Sequence, residues 1–204
     1  MSQIKQPYIK ICGLTRLQDI YAVNELKPDF IGFVFAPSSK RYLTYDAARA
    51  LKEVLLPDIM AVGVFVDAPE KDVIALLNDE VIDMAQLHGS ETNEYIAHIQ
   101  EQTGKPVIQA FQIHDGGDID AAKCSQANYI LLDSGSGSGE TFNWSLVRDI
   151  DLPYFLAGGL SPENISTVLK SLTPYAVDVS SGVETCGVKD KDKMKLFIDM
   201  IRER

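Results

Sequence analysis

Short apolar runs alternate with helical patterns eight times along the chain, and no other feature restricts its fold so tightly. The runs are Tyr8–Cys12, Phe30–Phe35, Met60–Val66, Met84–Leu87, Val107–Phe111, Tyr129–Leu132, Tyr154–Ala157 and Ala176–Val179. Most are nearly continuous in apolar residues, as parallel strands covered on both faces require. Between them, apolar residues recur at helical spacing: Ala47, Ala50, Leu51 and Val54; Val73, Leu76 and Leu77; Tyr95, Ile96 and Ile99; Ile165, Val168, Leu169 and Leu172; Met194, Phe197, Ile198 and Ile201. Thr15-Arg16-Leu17-Gln18 has the form of a capping box, with Leu17, Ile20 and Tyr21 on one face of the first helix. Ser161-Pro162-Glu163 predicts another helix start, with Ser161 as the cap. Residues 116–124 are weakly patterned, and 144–149 hold at most two helical turns.

Strict alternation predicts an α/β chain folded as a single (β/α)8 TIM barrel domain over residues 1–204. The repeat is roughly 25 residues, near the lower size limit for such a barrel. A doubly wound open sheet is the alternative; the absence of GxGxxG after the first strand weakens it. The run Ser134-Gly135-Ser136-Gly137-Ser138-Gly139 directly follows a strand and is expected to be a mobile loop over the barrel mouth.

Charge and cysteine content narrow the function. The formal net charge is -10, which argues against a nucleic-acid surface. No apolar run approaches a membrane span, and Met1 to Lys10 holds no apolar h-region, so neither a membrane partner nor a signal peptide is expected. Cys12, Cys124 and Cys186 are widely spaced with no CxxC, which fits a reducing cytoplasm better than a disulfide framework or zinc site. No His/Asp/Glu spacing resembles a metal triad, so no metal is expected.

In a barrel of this kind, chemistry sits at the C-terminal strand ends. Two ends there lack side-chain bulk: Leu156-Ala157-Gly158-Gly159-Leu160, and Asp178-Val179-Ser180-Ser181-Gly182. Small residues let a ligand approach backbone N–H groups, so Gly158, Gly159, Ser180, Ser181 and Gly182 form a candidate phosphate cradle. Tight strand-to-helix turns explain either stretch alone equally well. Cys12 ends the first strand, close to a helix start and to Lys10; both lower a thiol pKa of about 8.5, giving a partly ionised nucleophile or general base. A buried structural cysteine is the plain alternative. Lys10 is expected to point away from Cys12. Asp133 ends the sixth strand, where a partly desolvated carboxyl suits a general acid, or else caps the following loop. Cys12 and Asp133 are expected to face each other across the mouth. The planar fork of Arg41 suits a carboxylate, unless it is a solvated loop residue beside Lys40. His88 is a further proton-transfer candidate or a structural histidine beneath the site. His98 and His114 look peripheral, and Asp67 reads as the cap before Pro69.

At these positions the chain resembles the phosphoribosylanthranilate isomerase family of tryptophan biosynthesis. The matching segments are Lys10-Ile11-Cys12-Gly13-Leu14-Thr15-Arg16, Gly32-Phe33-Val34-Phe35, Arg41-Tyr42, Gly63-Val64-Phe65-Val66, Gln86-Leu87-His88-Gly89, Leu131-Leu132-Asp133-Ser134, Thr141-Phe142-Asn143-Trp144, Leu156-Ala157-Gly158-Gly159-Leu160 and Asp178-Val179-Ser180-Ser181-Gly182-Val183-Glu184. They run in family order over nearly the whole length. The resemblance implies an Amadori rearrangement of N-(5-phosphoribosyl)anthranilate, with no cofactor. It assigns Asp133 as the general acid at the furanose ring oxygen and Cys12 as the general base at C2. It gives Arg41 the anthranilate carboxylate, Gly158, Gly159, Ser180, Ser181 and Gly182 the phosphate, and adds His88 and Asp178 to the substrate-binding set. The chain departs from the family at Lys40, at Asn143 and in the run Ser136 to Glu140. The implied partner is a small phosphorylated substrate, and the protein is expected to be a monomer or homodimer. Two other readings keep the barrel. Cyclisation to indole glycerol phosphate would need a catalytic lysine, for which Lys10 is the candidate. A non-catalytic phosphate-binding barrel would not need both Cys12 and Asp133.

Overall fold

A computed structural model describes residues 6–133, 147, 150 and 152–204. The expected loop at 134–139, the segment Thr141 to Trp144 and the short helix at 144–149 lie outside the described residues, except for Val147, which is buried.

Eight parallel strands close into a barrel in sequence order. They are β1 (Tyr8–Cys12), β2 (Phe30–Val34), β3 (Met60–Phe65), β4 (Met84–Leu87), β5 (Val107–Gln112), β6 (Tyr129–Asp133), β7 (Tyr154–Ala157) and β8 (Ala176–Val179). The helices are α1 (Leu17–Leu26), α2 (Tyr45–Lys52), α3 (Glu70–Asn78), α4 (Asn93–Thr103), α5 (Gly116–Lys123), α6 (Ile165–Ser171) and α7 (Lys191–Arg202). A two-stranded hairpin, β9 (Glu184–Thr185) and β10 (Val188–Lys189), stands between β8 and α7. Among the described residues, no helix is long and apolar enough to cross a membrane.

Alternation along each strand sorts the core into two shells. Ile9 and Ile11, with their counterparts on other strands, pack outward against the helices. The inward shell begins with an aromatic floor. Phe155 meets Phe30, Tyr129 and Tyr175 at ring separations of 5.5, 5.7 and 5.7 Å, and Tyr8 lies 5.0 Å from Tyr175. Val62, Met84, Ile108 and Leu131 belong to the same interior cluster. Above this apolar plug the interior turns polar, because Lys10, Gln86 and Asp178 point inward where the barrel opens.

Several local expectations need correction. Residues two apart on a strand share a face. Lys10 therefore points to the same side as Cys12, and its ammonium pairs with Asp178 in the barrel interior. Helix α1 starts after Arg16, not Thr15; Asp19 accepts from the backbone N–H groups of both Thr15 and Arg16 and supplies the missing cap. Its buried face is Asp19, Ile20, Ala22 and Val23, while Leu17 and Tyr21 are exposed. In α2 the buried residues are Ala48 and Leu51, and Val54 lies beyond the helix and exposed. Helix α6 starts after Asn164. The Asn164 side chain accepts from the Ser161 backbone, so 161–164 form a turn and Ser161 does not cap. Asp67 does not cap α3, whose first residue follows Pro69. Its carboxylate accepts from the N–H and hydroxyl of Ser90 and ties the β3 loop to the β4 loop.

Candidate active site

The polar end of the barrel holds a cavity of about 390 Å³. Cys12, Gln86, His88, Gln112, Asp133, Asp178, Ser180 and Ser181 line it, with Val64, Leu160 and the backbone at Ala157, Gly158 and Gly159. Of the candidates from the sequence, Cys12, His88, Asp133, Gly158, Gly159, Asp178, Ser180 and Ser181 thus converge on one space. Strands β7 and β8 separate β6 from β1, so Asp133 and Cys12 enter the cavity from different sides.

The cradle arises from two turns. Gly158 and Gly159 take φ of +91° and +61°, a pair of positive values that side chains disfavour and glycine tolerates. Ser180 precedes a short 3-10 turn, Ser181–Val183. Gly182 packs so closely on the Leu160 carbonyl that a Cβ there would overlap it. Gly182 therefore locks the β8 turn onto the β7 turn and makes one site of two. The Ser180 hydroxyl donates to the Cys12 carbonyl at 3.0 Å, joining the cradle to β1.

Cys12 is partly buried, beside Val34, Ala36 and Val64. Across the β1–β2 pair, Cys12 lies opposite Gly32. A Cβ on Gly32 would stand 2.6 Å from the sulfur. Glycine is needed there for space. Replacing it by alanine is expected to displace the thiol and lower kcat by about a hundredfold with the fold retained. Steady-state kinetics together with thermal melting of Gly32→Ala checks this.

The electrostatics at Cys12 reverse the sequence expectation. Burial pushes its thiol pKa up. Lys10 and Lys189 pull it down, Asp178 pushes it up further, and the balance stays above the ordinary value. Lys10 is completely buried beneath the cavity, with its Nζ 2.8 Å from Asp178 Oδ2 and in hydrogen-bonding contact with Cys12. Burial works against its charge, but Asp178 and Cys12 outweigh it and hold its pKa above the usual lysine value.

Asp133 is partly exposed to the cavity, its side chain at 23%. Its Oδ2 lies 3.7 Å from His88 Nε2. On the other side of the ring, His88 Nδ1 meets Gln86 Nε2 at 3.1 Å. As assigned, the Gln86 amide donates there, which puts the ring proton on Nε2, facing Asp133. His88 is thus built into the wall beside Asp133 and faces the cavity. Two buried acceptors in this wall, Gln86 Oε1 and Asp178 Oδ1, have no hydrogen-bond partner among the described residues. Burying such atoms unpaired costs about 1–3 kcal/mol each.

Arg41 and Gly182 are the candidates that the cavity lining does not include; Gly182 packs behind it on Leu160. Arg41 is engaged elsewhere. Its fork grips Glu184, from Nε to Oε1 at 2.7 Å and from Nη2 to Oε2 at 2.8 Å. Its arm crosses Gly13, where any Cβ would overlap Arg41 Cδ. Sequence reasoning also passed over Gln86, Gln112, Glu184 and Lys189. Gln86 was within reach, since it lies two residues before His88 on the same inward face. Lys189 had no signal: the β9–β10 hairpin carries it back to Ser180.

Comparison with known proteins follows the same lines. Residues 9–200 match the family model described as N-(5'phosphoribosyl)anthranilate (PRA) isomerase. A protein of Endomicrobium trichonymphae named N-(5'-phosphoribosyl)anthranilate isomerase is 42% identical over 201 residues, covering 96% of this chain and 98% of its own. The crystal structure of phosphoribosyl anthranilate isomerase from Thermotoga maritima superposes with a TM-score of 0.88 at 38% identity, covering 97% and 100% of the two chains. A second solved structure of such an enzyme, in complex with reduced 1-(o-carboxyphenylamino)-1-deoxyribulose 5-phosphate, gives a TM-score of 0.86 at 37% identity, over 97% and 100%.

Proposed function

The chain belongs to the N-(5'-phosphoribosyl)anthranilate isomerase family, and from that premise we propose how its cavity performs the family reaction. The activity is the Amadori rearrangement of N-(5-phosphoribosyl)anthranilate to 1-(2-carboxyphenylamino)-1-deoxyribulose 5-phosphate, a step of tryptophan biosynthesis. It is an intramolecular redox isomerisation. Carbon 1 of the sugar is reduced as carbon 2 is oxidised, so protons alone need to move.

The phosphate sits on the Gly158–Gly159 turn and the Ser180–Ser181 loop, where backbone N–H groups favour an anion. That fixes the ribose between Cys12 and Asp133. Asp133 donates its proton to the furanose ring oxygen, the ring opens, and the anilino nitrogen becomes a Schiff base at C1. The Cys12 thiolate removes the proton from C2, and the resulting enolamine tautomerises to the C2 ketone. His88 keeps Asp133 oriented. Arg41 receives the anthranilate carboxylate. The observation that carries this reading is the shared cavity: the Asp133 carboxyl, the Cys12 thiol and the Gly158–Gly159 and Ser180–Ser181 turns face the same space of about 390 Å³.

The test is direct. Purified protein in chelator-treated buffer is expected to convert N-(5-phosphoribosyl)anthranilate into the 1-deoxyribulose phosphate, followed by chromatography; recovery of unchanged substrate overturns the reading. Arg41→Ala is expected to raise KM by about ten- to a hundredfold with a smaller change in kcat, as for loss of a charge-assisted contact made alike in ground and transition states. An unchanged KM removes Arg41 from the carboxylate site.

A further inference from the structure

Glu184 stands just outside the cavity lining, yet its carboxylate is 6% exposed and holds two cations. The Arg41 fork occupies both of its oxygens, and Lys189 Nζ donates to Oε1 at 2.6 Å. The same ammonium donates to the Ser180 carbonyl at 3.0 Å, inside the phosphate cradle. Burial opposes the Glu184 charge, but Arg41 and Lys189 prevail and hold its pKa down at about 2. The fork is therefore intact throughout the neutral range. Two cations and one anion leave a net charge of +1, enough for a single carboxylate.

The geometry of the fork decides what Arg41 does next. A guanidinium carries five N–H donors, and Glu184 takes the Nε–Nη2 edge. The Nη1 edge is left for a second carboxylate. Gly13 holds the arm at Cδ, so Arg41 is clamped at two points along its length. A flexible side chain fixed in this way loses little further freedom on binding.

We propose that Glu184 is the positioning residue for recognition of the substrate's aromatic carboxylate, and that the chain Arg41–Glu184–Lys189–Ser180 sets the distance between the carboxylate and phosphate subsites. This rests on Arg41 being the carboxylate ligand. Lys189 carries the link to the phosphate loop and shares the Glu184 charge, so Glu184 does not fully neutralise Arg41.

Glu184→Asp tests position without changing charge, because it withdraws the fork by one methylene. Two reduced product analogues serve as probes, one bearing the ortho-carboxylate and one with a bare phenyl ring. Glu184→Asp is expected to weaken the carboxylate analogue by about ten- to a hundredfold and leave the phenyl analogue unchanged. KM for substrate should rise by the same factor, with kcat within about threefold. If Arg41→Ala abolishes the preference for the carboxylate analogue but Glu184→Asp keeps it, the positioning role is wrong. If Arg41→Ala also keeps the preference, the carboxylate subsite itself is elsewhere. A merely structural Glu184 would weaken both analogues alike and lower the melting temperature, which also overturns the proposal.

Discussion

Replacing Asp133 by asparagine, or Cys12 by alanine, is expected to lower kcat by about 10²–10⁴-fold in each case. Asparagine has the shape of aspartate and can still meet His88, but it has no acidic proton for the ring oxygen. Ring opening would then have to borrow a proton from water. Alanine at position 12 removes the only sulfur among the described residues of the cavity lining. Val34, Ala36 and Val64 beside it are apolar, and its polar neighbour Lys10 is held as an ammonium by Asp178 and is no base. Both changes leave the phosphate cradle and Arg41 untouched, so affinity for a reduced product analogue should stay within about threefold. The two residues act in successive steps, and either loss is rate-limiting. The double variant should therefore fall well short of the product of the single effects. Rate constants near the parent value in either single variant would remove that residue from the mechanism.

Most of the barrel was legible because its signal is short-range. A strand such as Phe30–Val34 is buried along its whole length, and that burial appears in the sequence as an unbroken apolar run. Of the eight strands, Met84–Leu87, Tyr154–Ala157, Ala176–Val179 and Tyr8–Cys12 have the expected limits. Helix starts were less legible, because caps depend on which polar group wins a local competition. At α1 the Asp19 carboxylate takes the place of the Thr15 hydroxyl, and at α6 a turn closed by Asn164 onto the Ser161 N–H moves the helix start past Ser161, with no side-chain cap from Asn164. The site divides in the same way. Cys12, His88, Asp133 and the glycine and serine turns sit at strand ends, which the alternation locates. The partners of Arg41 do not. Glu184 lies 143 positions from Arg41, and only closure of the barrel brings them together. The thiol shows why proximity in sequence is a weak guide to charge. Lys10 and the helix start suggested an easily ionised sulfur, but burial is the larger influence.

Lys10→Met is expected to lower stability by about 3–5 kcal/mol, because it strands the Asp178 carboxylate in the barrel interior. Lys10 is 0% exposed, and among the described residues its ammonium at 2.8 Å is what offsets the lost hydration of Asp178 Oδ2. Chemical denaturation measures this, and the double variant Lys10→Met/Asp178→Asn supplies the control. Removing both charges should restore most of the lost stability, whereas a lysine acting only by filling space would leave the double variant as unstable as the single one. The same substitution reports on the base. The groups facing Cys12 are Lys10 and Lys189, which lower its pKa, and Asp178, which raises it; Arg41 is a further cation coupled to it. A base works when deprotonated, so log(kcat/KM) rises with pH up to the thiol pKa of the free enzyme. That limb should extend above the ordinary thiol value of about 8.5 in the parent protein, since burial dominates. Losing Lys10 removes a cation and exposes the sulfur to an uncompensated Asp178, so both changes move the limb to higher pH. A shift of at least about one unit is expected, equivalent to roughly 1.4 kcal/mol. In the double variant the limb should move part of the way back, because the repelling carboxylate is gone while the attracting ammonium is still missing. A limb unmoved by Lys10→Met would mean that the thiolate is stabilised from the Lys189 side, and Lys189→Met would then carry the shift.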